Sequence, residues 1–390
     1  MEKTWRWFGK KDRITLPMLK QIGVEGIVTA LHDIPNGEVW SPDAINDLKR
    51  YIQDAGLRWS VVESLPVSEA IKYGGKDTDR LIANYIQSLS NLGEAGITTV
   101  CYNFMPVIDW IRTDLFYPQS DGTSSLFFDK IRFAYFDCMI LKREGAEKDY
   151  TEAEMDKVRA LDQVITEAEK DRLIDTIIVK TQSFINGNIK EGDKNPVSVF
   201  KNLLALYNDV DKDALRENLR YFLSQIMPVC EEYGINMCVH PDDPPRQMLG
   251  LPRIVTSGED IEWILKSVDN PYNSLTFCAG SLSAGIHNDV PELARKFASR
   301  TRFIHLRSTE VSPNGDFIEA SHLEGRGHLI ELVRIFEKEN PSLPMRVDHG
   351  RLMLDDVDKD YNPGYSFLGR MYALAQMDGV IATVQDEFKK

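Results

Sequence analysis

No apolar stretch in this chain approaches the roughly 18 consecutive residues that a membrane crossing requires. The amino end, Met1-Glu-Lys-Thr-Trp-Arg-Trp-Phe, mixes charges and aromatics where a secretion signal has an apolar core and a small-residue cleavage site. No membrane partner is expected, and the expected location is cytoplasmic. Cysteine is scarce. The five residues, Cys101, Cys138, Cys230, Cys238 and Cys278, are odd in number and form no CxxC pair, so a disulfide framework is not expected. A basic cluster is also missing. Forty-six Lys and Arg against 60 Asp and Glu give a formal charge of -14, which argues against nucleic-acid partners. A small anionic substrate stays compatible, because a metal ion and a few arginines can make one pocket positive. Internal repeats and low-complexity linkers are absent too.

What is present is an alternation of helix and strand patterns, the mark of a parallel sheet covered by helices. The clearest helix runs over 41–56: Ser41 can cap it, Pro42 suits its first turn, Ile45, Leu48 and Ile52 share a face, and Gly56 can end it. Strand-like runs occur at Trp5–Phe8, Glu25–Ala30, Arg58–Glu63, Thr98–Asn103, Ile235–His240, Ser274–Cys278, Arg302–Arg307 and Met345–Asp348. Eight strands separated by helices predict a closed (β/α)8 TIM barrel occupying 1–390 as a single domain. The long interval after the fourth strand is charged and helix-favouring, and it reads as a helical insertion at about 118–210. Its place after a strand's carboxyl end would let it cover the site or a subunit contact, at its simplest in a homodimer.

Side chains alternate faces along a strand. By that parity His240, Cys278, His305 and Asp348 point inward at the ends of four successive strands, where barrel mouths converge. Two imidazoles, a thiolate and a carboxylate suit a borderline divalent ion. Taken singly, a strand-end His is more often a hydrogen-bonded partner than a ligand, and Asp348 could merely cap the turn at Gly350. Cys238 also faces inward, deeper than His240, and is the rival ligand. The other cysteines read as inert core. His349 would reach the pocket if the chain turns at Gly350. His322 and His328 lie on a glycine-flanked loop, a weak phosphate signal. His32 and His287 favour the surface.

The segments Thr4-Trp-Arg-Trp-Phe-Gly9, Gly26-Ile-Val-Thr-Ala-Leu-His-Asp-Ile-Pro35, Tyr102-Asn-Phe-Met-Pro106, His240-Pro-Asp-Asp-Pro-Pro245, Phe277-Cys-Ala-Gly-Ser281, His305-Leu-Arg307, Arg346-Val-Asp-His-Gly350 and Pro363-Gly-Tyr365 together resemble the mannonate dehydratases, with a xylose isomerase-like barrel. The resemblance runs nearly end to end. It implies that His240, Cys278, His305 and Asp348 bind Mn2+ or Fe2+ and that His349 and Tyr365 are catalytic. It further implies dehydration of D-mannonate to 2-keto-3-deoxy-D-gluconate and water in hexuronate breakdown. Arg307, Asn103, His322 and Arg351 are the expected substrate-binding residues, Arg307 as added positive charge. The alternatives are a metal-dependent sugar isomerase on the same barrel, which the thiolate argues against, and a non-catalytic sugar-acid binding protein.

Overall fold

A computed structural model describes residues 1–182, 189 and 194–389. Its strands, in chain order, are β1 (Glu2–Arg6), β2 (Gly26–Thr29), β3 (Arg58–Glu63), β4 (Thr99–Tyr102), β5 (Asp114–Pro118), β6 (Ser124–Phe128), β7 (Asn236–Val239), β8 (Asn273–Cys278), β9 (Thr301–Leu306), β10 (Thr309–Val311), β11 (Phe317–Glu319) and β12 (Pro344–Val347). Eight of them close a barrel in the order β1-β12-β9-β8-β7-β4-β3-β2. The pairings are parallel, including β1 against β12, which seals the ring. The expected barrel is the observed one. The largest displacement is of its first strand, from Trp5–Phe8 to Glu2–Arg6, because the ladders to β12 and β2 begin at Glu2 and end at Arg6.

Alternation explains the layering. Met237, Val239, Leu275, Phe277, Ile304, Leu306, Met345 and Val347 face outward into a core shared with the helices. The alternate residues turn inward, where Val28, Val61, Cys101 and Phe303 plug the barrel. The helix Pro42–Asp54 forms as its sequence predicts: Ser41 Oγ accepts from Ala44 N at 3.3 Å, and Ile45, Leu48 and Ile52 are buried.

The insertion departs from its helical reading. Helices are there, at Glu152–Asp162, Glu167–Ile174 and Pro196–Ala205, the first two opened by capping boxes at Thr151 and Thr166. Residues 183–188 and 190–193 of the expected insertion lie outside the described residues. Before the helices, however, β5 and β6 form a hairpin whose turn carries Asp121-Gly122, with Gly122 at φ +84. These two strands join β10 and β11 in a four-stranded sheet ordered β10-β11-β6-β5. Phe317 stacks on Phe128 at 5.1 Å, so residues far apart in sequence complete this second sheet. A second apolar cluster, with Phe128, Phe133, Phe136, Phe200 and Phe317, lies beneath it.

Candidate metal and catalytic site

The barrel mouth brings three of the four expected ligands into one cluster. One ligand atom from each of His240, Cys278 and His305 lies within 4.8 Å of the other two. His240 is placed by its neighbour: its Nδ1 contacts the Pro241 carbonyl at 2.7 Å, and as the donor there it leaves Nε2 with a lone pair. That Nε2 lies 3.2 Å from His305 Nδ1. Two nitrogens each about 2.1 Å from one ion would sit roughly 3.0–3.4 Å apart. His305 is fully buried, and its other nitrogen faces Glu63 Oε1 at 3.5 Å, a carboxylate behind the imidazole. The donor set therefore fits a divalent cation.

Cys278 is set apart from the other cysteines by its surroundings. Burial works against its ionisation, but the charges of His240 and Arg307 hold the thiol well below its ordinary value. Ser281 Oγ donates to its Sγ at 3.1 Å. For His240, burial opposes protonation, yet the adjoining thiolate raises the imidazole to about 9. Cys238, the rival, stays outside the cluster, fully buried with its Sγ 3.5 Å from the Asn236 carbonyl, and burial pushes its thiol up.

Asp348 stands at the edge of this cluster. Its Oδ2 is 3.9 Å from Cys278 Sγ, while Arg346 Nη1 donates to Oδ1 at 2.5 Å and Arg307 Nε lies 2.9 Å from Oδ2. Burial penalises the charge, and Arg346 more than compensates, so the carboxyl is held well below the usual range. Arg346 in turn is clamped by Glu63, through Nε to Oε2 at 3.0 Å and Nη2 to Oε1 at 2.9 Å.

Arg307 is paired with three carboxylates. Nη1 donates to Glu319 Oε1 and Nη2 to Asp243 Oδ2, both at 2.6 Å, while Nε faces Asp348. It is 1% exposed, and this guanidinium ties the site's carboxylates together. Its path requires Gly280, where an added Cβ would lie 1.9 Å from Arg307 Nε. Arg112 doubles the clamp, donating to Asp243 Oδ1 at 2.9 Å and to Glu319 Oε1 at 2.7 Å.

His349 does reach the site. Its Nδ1 is 2.8 Å from Glu319 Oε1, its Nε2 is 3.8 Å from Asp348 Oδ1, and its ring meets Tyr365 edge-on at 5.0 Å. Gly364 makes room, since a Cβ there would lie 2.9 Å from the imidazole. Burial opposes ionisation of Glu319, but His349, Arg307 and Arg112 bring it down to about 2, so it is a carboxylate that accepts from His349. Burial of Tyr365 pushes its phenol up to about 12.

The remaining expected residues lie around this centre. Asn103 follows β4 and hydrogen-bonds the buried Asp109 carboxyl. His322 is 5% exposed, and burial drives its imidazole down to about 4. It lines a cavity of about 160 Å³ together with His349, Glu319, Ser125 and Arg351. Arg351 is tied to the insertion hairpin through Nη1 and Asp121 Oδ2 at 2.8 Å. His32 and His287 are exposed, as expected. The sequence reading missed Glu63, Arg112, Asp243 and Glu319. Glu63 carried the same signal as the ligands, a polar residue ending a barrel strand; Glu319 sits on the accessory strand that was not foreseen.

No helix among the described residues is long and apolar enough to cross a membrane. The profile of the D-mannonate dehydratase (UxuA) family matches residues 1–390. A mannonate dehydratase of Chromohalobacter salexigens is 45% identical over 395 residues, covering 99% of each chain. The crystal structure of mannonate dehydratase from Streptococcus suis serotype 2 superposes with a TM-score of 0.80 at 32% identity, over 100% of this chain and 96% of that one. A xylose isomerase domain protein from Planctomyces limnophilus shares the fold alone, with a TM-score of 0.52 at 8% identity over 99% of this chain and 98% of that one. Residues 1–390 therefore belong to the D-mannonate dehydratase family of hydro-lyases.

Proposed function

We propose that this chain dehydrates D-mannonate with one divalent ion, Mn2+ or Fe2+, held by His240, Cys278, His305 and Asp348, and with His349 and Tyr365 as base and acid. The observation that carries the reading is the His240, Cys278 and His305 cluster with His349 beside it. When bound, the ion supplies Lewis-acid stabilisation of negative charge developing on substrate oxygens.

The protein's own groups account for the proton transfers. Glu319 accepts from His349 Nδ1, which fixes the tautomer and leaves Nε2 free to take the proton from C2. The electron pair released there forms the C2–C3 double bond as the C3–O bond breaks. Tyr365, edge-on to His349, gives its phenolic proton to the departing hydroxyl, which leaves as water. The resulting enol ketonises to 2-keto-3-deoxy-D-gluconate, and the proton on His349 returns to the phenolate. The high phenol value supports Tyr365 resting protonated. Arg307 and Arg346 hold Asp348 from both sides, so its carboxylate keeps one orientation throughout.

Metal-stripped protein reloaded with Mn2+ or Fe2+ and given D-mannonate should form an α-keto acid, read with a carbonyl reagent. Binding without a keto product would sink the reading, and a product from the stripped protein would remove the ion from it.

A further inference from the structure

Of the buried guanidinium groups at the barrel mouth, Arg307 and Arg346 are each ion-paired with carboxylates. Arg6 is different. It ends β1, on the same carboxyl-terminal face of the barrel as His240, Cys278 and His305, and it is 8% exposed. Its Nη1 is buried and has no hydrogen-bond partner among the described residues. The guanidinium lies over the Phe8 ring, 5.0 Å from its centroid, and Phe8 meets Tyr365 edge-on at 5.0 Å. Its backbone is pinned as well, because Arg370 Nη1 donates to the Arg6 carbonyl at 2.9 Å. Glu63, Tyr365, Arg346 and Cys101 are titratable groups whose fields it feels, and the first three belong to or border the reacting side of the site. A buried cation with an unanswered donor, fixed by its own stacking, is arranged to receive an anion from outside the protein.

We propose that Arg6 is a specificity-determining residue whose Nη1 binds the carboxylate of the sugar-acid substrate. The inference rests on the dehydratase reading and deepens it. Arg6 takes the part that the sequence had given to Arg307, whose Nη1 and Nη2 already donate to Glu319 and Asp243. The contact also strengthens as reaction proceeds, because loss of the C2 proton moves negative charge onto the carboxylate oxygens.

Equilibrium binding of D-mannonate to metal-loaded protein tests this in a Tyr365→Phe background, where turnover does not consume the ligand. Arg6→Met should raise Kd by about ten-fold or more, since a charge-assisted hydrogen bond is removed, with metal content and melting temperature unchanged. Arg6→Lys, which keeps the charge but loses the planar fork, should fall between parent and Arg6→Met. With Tyr365 intact, these variants would also raise KM and lower kcat together. A Kd within about two-fold of the parent for Arg6→Met overturns the proposal. So does loss of metal or of folded structure in Arg6→Lys, which would make Arg6 a structural residue. Wild-type protein given D-mannonate is the control: no keto product there sinks the dehydratase reading itself, apart from what Arg6 does.

Discussion

Single residues are distinguished in this site by what surrounds them. Cys278 and Cys238 are both buried thiols on barrel strands, yet only Cys278 faces His240, Arg307 and Ser281. Cys278→Ser should therefore abolish metal retention, while Cys238→Ser should keep it, as metal analysis after dialysis would show. The reverse result would reassign the thiolate. In the proposed mechanism Glu319 acts through His349. Glu319→Gln keeps the shape but exchanges a carboxylate acceptor for an amide, so the imidazole loses its fixed tautomer, and kcat should fall by about 10²-fold or more with KM little changed. A steady-state comparison of the two parameters checks it; a change confined to KM would exclude the positioning role.

At the scale of elements, the hairpin of β5 and β6 is what ties the insertion to the site. It pairs with β11, and β11 ends at Glu319, so the accessory sheet carries the carboxylate that orients His349. The sheet in turn depends on aromatic packing. Phe128 is 1% exposed and contacts both Phe317 and Phe133. Phe128→Ala should cost about 3–5 kcal/mol in denaturant unfolding, through lost burial and the cavity left behind. It should also lower kcat, because β11 would lose its neighbour. A variant with native stability would show that the sheet does not depend on this stack. The hairpin was legible in principle: Asp121-Gly122 between aromatic runs is a turn signal, outweighed in the sequence reading by the charged helical stretch beyond it.

For the whole molecule, pH links the site to stability through His322. Its folded value is depressed to about 4 by burial against an ordinary 6.5, so the neutral form is the native one. The stability it contributes is complete above pH 6.5 and is lost as pH falls through the window toward 4, since the unfolded chain binds the proton first. Between pH 6.5 and 5 this amounts to about 2 kcal/mol, on top of carboxylate effects that set in lower. His322→Gln should flatten melting temperature against pH in that interval; an unchanged slope would mean that His322 is not the group responsible.

The barrel was legible because hydrophobic alternation is local: each strand's outward residues, such as Met237 and Val239 or Leu275 and Phe277, announce themselves within a few positions. The same parity placed His240, Cys278, His305 and Asp348 at strand ends. The sequence by itself thus determined the strands, the residue types at their ends and the family. Tertiary structure alone decided which charges meet. Whether Arg307 faces a substrate or three carboxylates depends on Asp243, Glu319 and Asp348 converging from separate loops and strands. Electrostatic pairing is settled over a few ångströms between residues that lie far apart along the chain, and no local pattern records that distance.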